Sequence, residues 1–170
     1  PMRAGFHSVE TYGRAVNGAF RQYFTSPARN LSADSIARLG FGDETARRVP
    51  YLRGSLYFAD LDARIREASD GRRGLDTLLS EIFTRRERGL RFDHEAWMDA
   101  VVAEIGPDAR ETFVSVVLEG ETIVPRSDAF GPCFERVPAR LDGGPDGEGP
   151  VVDGYEWVRI ESVPDDRCRA

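Results

Sequence analysis

Val49-Pro50-Tyr51-Leu52-Arg53-Gly54 runs without a break into Ser55-Leu56-Tyr57-Phe58-Ala59-Asp60-Leu61-Asp62-Ala63-Arg64-Ile65-Arg66-Glu67, and this stretch decides the fold. Its pattern is helical from Pro50 to about Ser69. Pro50 suits a first helical position, where its fixed φ helps and its missing N–H is no loss. Tyr51 is then expected in the first turn, at the positive end of the helix dipole. Tyr51, Ser55, Phe58, Asp62 and Ile65 share one stripe, widened by Leu56 and Ala59, and this is the face expected to turn inward. A phenol held at a helix start can donate a hydrogen bond to an oxyanion and so stabilise a tetrahedral intermediate. The ordinary use of an aromatic residue there is packing, as core or as a staple.

Working outward, the first 125 residues read as helices. Val9, Tyr12, Val16, Ala19, Phe20 and Tyr23 fall at three- and four-residue steps, which predicts an amphipathic helix from about Ser8 to Phe24. Ser8 is placed to cap it and Pro27 to end it. Ser32 caps a short helix, Ala33 to Leu39, stopped by Gly40. Asp43 is placed to cap one further turn before Pro50. Beyond Asp70-Gly71, Leu75 to Glu87 is a helix with Leu75, Leu78, Leu79, Ile82 and Phe83 inward. Asp93 caps His94 to Ile105, and Pro107 opens a helix containing Phe113, Val116, Val117 and Leu118 that Gly120 closes. Connections this short imply antiparallel neighbours in a compact bundle of about six helices. After Pro125 the pattern changes. Phe130 to Val137 and Tyr155 to Val163 read as short strands that can pair as a hairpin. Residues 142–150, rich in Gly, Pro and Asp, read as a flexible loop between them. The division is thus a helical part, 1–125, and a β-rich appendage, 126–170.

Composition bounds the function. The 170 residues suffice for one domain. A net charge of −6 gives no reason to expect nucleic acid as a partner. No apolar run approaches the roughly 20 residues of a membrane span, and the chain reads as soluble. Residues 1–6 contain neither a signal-peptide core nor a cleavage site. Pro1 precedes Met2, so the sequence reads as a piece of a longer protein, and its compartment stays open. All 23 basic residues are arginine, which excludes a Schiff-base lysine and a P-loop lysine. Cys133 and Cys168 are too few for a disulfide framework; one bridge between them is possible, and free thiols are the expectation.

Most chemical motifs fail on inspection. His94-Glu95-Ala96-Trp97-Met98 starts like a zinc-binding H-E-x-x-H, but Met98 stands where the second imidazole must be. No metal site is expected in this chain. There is no G-x-S-x-G, and neither cysteine has the positive setting of a nucleophile. Arg85, Arg86, Arg88 and Arg91 cluster at a helix C-terminus; dipole compensation explains them, and a docking site for an acidic partner is the alternative. Asp60 and Asp62 lie on the central helix, and a carboxylate on its apolar stripe is expected to tether a neighbouring helix, with an arginine as a natural partner.

Three blocks in order, Tyr51-Leu52-Arg53-Gly54, Leu61-Asp62-Ala63-Arg64-Ile65-Arg66-Glu67 and Asp70-Gly71-Arg72-Arg73-Gly74-Leu75-Asp76, resemble the C-terminal helical part of the glycyl aminopeptidase family of gluzincin zinc metallopeptidases. The family pattern runs roughly Y-x-K-G, L-D-x-x-I-R and G-G-K-x-S-L-D-D. Phe92 to Gly106 and Phe113 to Gly120 fit its continuation, so the resemblance covers about Ser8 to Val124. Arg53 and Arg73 replace lysines, keeping charge but not geometry, and Gly74 replaces a capping serine. The resemblance implies a mostly helical piece forming one wall of a substrate cleft, with Tyr51 at its rim as oxyanion stabiliser. It implies zinc and a peptide substrate for the full-length enzyme, and the N-terminal zinc-binding half of the same protein as partner. The family's H-E-x-x-H helix and downstream glutamate ligand are not in this sequence. The chain alone is therefore expected to be inactive and to bind zinc no better than a non-specific protein. The other reading is a non-catalytic helical protein-interaction module.

Overall fold

The computed structural model describes residues 8–90, 93–143 and 149–169. Among these, six α-helices precede one antiparallel hairpin: α1 (Val9–Thr25), α2 (Ala33–Leu39), α3 (Glu44–Ala68), α4 (Leu75–Glu87), α5 (His94–Ile105), α6 (Asp108–Phe113), β1 (Phe134–Gly143) and β2 (Gly149–Arg159). The fold is mainly α, as the periodicity indicates. Ser8, Ser32 and Asp93 cap α1, α2 and α5 through their side chains, accepting the N–H of Thr11, Ser35 and Ala96. These caps are why the starts of those helices are readable from sequence.

The central helix differs from its expected form in two ways. Asp43 does not cap a separate turn: its Oδ1 accepts the Ala46 N–H at 3.0 Å, and one continuous helix runs from Glu44 to Ala68 with Pro50 inside it. Tyr51 is therefore two turns inside α3 and away from the positive end of its dipole. Burial of Ala46 and Val49 explains the earlier start. It offsets the donor that Pro50 cannot give to the turn before it. The inward face is also rotated from the expected one, with which it shares Leu56 and Ile65. Ala46, Val49, Arg53, Leu56, Tyr57 and Leu61 are buried, at helical steps, whereas Tyr51, Ser55 and Phe58 face outward. Arg53 is what disguised the true stripe.

The last helical stretch is not uniform. After α6 the chain widens into a π-helical turn, Val114–Glu119, and ends at Gly120 in the left-handed region. Gly120 has φ +89°, and a Cβ there would lie 2.6 Å from the Leu31 carbonyl oxygen. Only glycine closes this end against the α1–α2 connection.

The strands are longer than the aromatic runs suggest and shifted in register, with Phe134 opposite Arg159 and Leu141 opposite Val152. They extend to Gly143 and begin again at Gly149, into the segment read as a loop. Residues 144–148, on which the expectation of flexibility falls, lie outside the described residues. The hairpin packs on α1. Asn17 reaches from α1 to the backbone of Trp157, donating to its carbonyl at 3.0 Å and accepting its N–H at 2.8 Å. Trp157 stacks on Phe20 with centroids 4.1 Å apart, and Phe130 meets both rings edge-on. Buried side chains of the helices and of the hairpin belong to one cluster.

Cys133 and Cys168 are bonded to each other, with Cα atoms 5.3 Å apart, which corrects the expectation of free thiols. Both are buried. The C-terminal segment after β2 folds back across the start of β1, where Ile160 N–H donates to the Cys133 carbonyl at 2.8 Å, and this brings the two sulfurs together. Two cysteines 35 residues apart carry no pairing signal until that return is known.

Candidate functional site

The three blocks quoted above gather on α3 and the turn that follows it, and each has a definable task. Arg53 is almost completely buried. Its Nη2 donates to the carbonyls of Arg29 and Leu31 at 2.7 and 2.8 Å, and its Nη1 to that of Val117 at 3.3 Å. A delocalised guanidinium satisfies several carbonyls at once, which a lysine ammonium does less well. Arg53 thus ties α3 to the α1–α2 connection and to the π-helical turn, beside Gly120.

Asp62 tethers helices, as its place in the sequence suggested. One oxygen accepts the Leu75 N–H at 2.8 Å, the other the Arg66 Nε–H at 3.1 Å. The first bond caps α4 from outside. Gly74, at the cap position, contributes no side chain, and a Cβ there would lie 2.9 Å from Asp62 Oδ1. The glycine that departs from the family pattern is the residue that lets Asp62 in. Arg73 is held by Glu104 and Glu81, its Nη2 2.6 Å from Glu104 and its Nη1 2.9 Å from Glu81. These bonds hold the Glu81 carboxyl below its usual range. Asp60 accepts the Arg126 N–H at 2.9 Å. Burial raises its pKa, against the pull of that bond and of the Arg64 and Arg126 charges. Neighbouring Tyr57 is packed against Phe113, and burial pushes its phenol up to about 12.

Tyr51 stands apart from all of this. Its side chain is 76% exposed, and its phenol makes no hydrogen bond with any described residue. Its carbonyl accepts the Ser55 hydroxyl at 2.8 Å, an ordinary bond within the helix. Tyr51 is thus neither core nor staple. An open cleft of about 860 Å³ lies between α1 and the first turns of α3, lined by Arg14, Asn17, Arg21, Glu44, Arg48 and Leu52 among others. Tyr51 follows Arg48 by three residues and precedes Leu52 by one, so it adjoins two lining residues of that cleft in sequence without being one of them. Arg48 and Glu44 pair at 2.7 Å on its α3 wall.

Sequence reasoning missed Arg53 as a structural anchor because it is charged. The signal was present: Arg53 lies four residues after Val49 and three before Leu56, in phase with the apolar stripe. His94 sits at the start of α5, half exposed, its ring against Phe113. His7 lies outside the described residues. Among the described residues, no three His, Cys, Asp or Glu side chains are grouped so as to hold a metal ion. No protein-family model matches the chain, and no curated protein matches it. No helix among the described residues is long and apolar enough to cross a membrane.

Proposed function

We propose that this chain is the C-terminal helical part of an aminopeptidase catalytic unit, in which α1 and α3 form one wall of the substrate cleft and Tyr51 stands at its rim. The observation that carries the reading is the outward phenol of Tyr51. It is fixed on a well-anchored helix, free of any task in the fold, and next in sequence to Leu52, which lines an open cleft. Val49 and Arg53, two residues to either side, are buried, so the backbone that presents Tyr51 is rigid while its hydroxyl stays available. A donor held in this way can bond to an oxygen that gains negative charge as a substrate carbonyl becomes tetrahedral. Exposure replaces the helix dipole as the support for this role, since Tyr51 lies inside α3.

Zinc in the full-length enzyme would be held by residues outside this chain, and peptide substrate would lie between the two parts. The test uses the chain joined to the sequence that precedes it in its gene, assayed on aminoacyl p-nitroanilides. Tyr51→Phe is expected to lower kcat by roughly 10²–10³, the scale of losing one oxyanion donor, with KM little changed. Unchanged kcat, or no aminopeptidase activity in the longer protein, contradicts the reading.

A further inference from the structure

The exposed face of α3 continues past Tyr51 to Phe58, and there the surface becomes concave. Phe58, Leu79, Ile82, Phe83 and Trp97 line a groove of about 320 Å³ between α3, α4 and α5, and Arg86 is its one charged lining residue. Phe83 is 59% and Phe58 42% exposed. Trp97 meets Phe58 edge-on at 5.8 Å between centroids. Leu78 and Ile82 of α4 are buried and Leu75 and Leu79 partly so, whereas Phe83, expected to face inward, has no cover among the described residues. Large aromatic side chains opening onto one groove mark a surface that binds.

The rim identifies the occupant. Residues 85–88 read Arg-Arg-Glu-Arg, and Arg85, Arg86 and Arg88 form no ion pair with another described residue. Elsewhere in this acidic chain several exposed arginines are paired, Arg48 with Glu44, Arg110 with Glu95 and Asp99, Arg126 with Glu67 and Arg21 with Asp142, and the three at this rim differ from other unpaired ones by adjoining an aromatic groove. Nearby carboxylates on α5 are already engaged, Glu95 and Asp99 by Arg110 and Glu104 by Arg73. Compensation of the α4 dipole uses charge in the last turn, but it does not explain an arginine set on the lip of an aromatic groove. We infer that the groove docks an acidic amphipathic helix of a partner protein, which seats two or three large apolar side chains at i, i+4 and i+7 among Phe58, Phe83 and Trp97 and sets flanking Asp or Glu against Arg85, Arg86 and Arg88. A lipid surface offers the same charge, but a concave slot between helices fits a ridge of side chains better than a flat bilayer. The inference does not rest on the peptidase reading, because its readout is binding.

The probe is a fluorescein-labelled synthetic helix with Leu, Phe and Leu at i, i+4 and i+7 and Glu on both flanks, titrated with the intact chain and read by anisotropy and by the emission of Trp97. Saturable binding is expected, weakened at least about tenfold by Phe83→Ser, by Arg86→Glu, and by Lys in place of Glu in the peptide. Phe83 is exposed, so Phe83→Ser is expected to keep the melting temperature of the parent chain, and Arg86→Glu supplies a second surface variant. Equal affinity for the Lys peptide, or indifference to Phe83→Ser, overturns the inference. So does sedimentation with phosphatidylglycerol vesicles without peptide binding. A dimer of the chain that Phe83→Ser abolishes overturns it as well, by making a second copy the occupant.

Discussion

Two aromatic clusters of this molecule meet opposite fates. Phe20, Trp157 and Phe130 touch at 4.1 to 5.5 Å and are closed in by α1 and the hairpin. Phe58 and Trp97 touch at 5.8 Å, in reach of the same groove as Phe83, and stay open. Residue type does not distinguish them. What differs is a covering element: β2 places Trp157 over Phe20, and Asn17 fixes the strand by two hydrogen bonds to its backbone. Nothing among the described residues does this for Phe83. One side builds the fold and the other presents side chains outward, and α3 belongs to both, with Arg53 turned in and Tyr51 turned out.

The comparison breaks most directly if the closed cluster proves dispensable. Trp157→Ala removes a fully buried ring and the Nε1–H bond to the Ser127 carbonyl, and is expected to cost about 4 kcal/mol in chemical denaturation. Phe83→Ala on the open side is expected to change stability by less than about 0.5 kcal/mol. Similar losses at the two sites would erase the distinction.

A smaller effect is expected at the covalent tie behind the hairpin. The Cys133–Cys168 bridge spans 35 residues, and restricting the unfolded chain over that distance stabilises by up to about 3.8 kcal/mol. Cys133→Ala with Cys168→Ala, or the parent chain with added reductant, is expected to lose that much and to loosen the segment after β2. A reduced chain that melts at the same temperature contradicts this.

The smallest effect sharpens the account of α3. Asp60 has a raised pKa, so in the folded chain it holds its proton to higher pH than in the unfolded chain. Its contribution is present below the ordinary carboxylate value and is lost as pH rises through the raised folded value. Asp60→Asn keeps an acceptor for the Arg126 N–H and carries no charge. The stability of the wild type relative to this variant is therefore expected to fall between pH 3 and pH 6, by less than about 1 kcal/mol at the partly exposed site. A rise over the same interval would mean that attraction to Arg64 and Arg126 outweighs burial.

Much of the fold was legible because local signals are strong: Ser8, Ser32 and Asp93 cap the helices they appear to cap, and Leu75 to Glu87 is a helix from end to end. The errors share one cause, since long-range partners override local rules. Pro50 reads as a start only while the burial of Ala46 and Val49 is unknown. Arg53 reads as outward only while the three carbonyls around it are unknown. The stripe through Tyr51 and Phe58 is apolar in sequence, yet both of those residues are exposed. The bridge between Cys133 and Cys168 depends on a chain reversal that no spacing announces. Tyr51 could be picked out from its neighbours, but its exposure could not.

The most direct measurement pairs stability with turnover in one variant. Tyr51→Phe, placed in the protein that includes the preceding sequence, is melted and assayed side by side. An unchanged melting temperature with kcat lowered by roughly 10²–10³ is the predicted result, because the phenol has no task in the fold and the proposed reading gives it one in the reaction. A lowered melting temperature with kcat unaffected would return Tyr51 to packing and contradict the account.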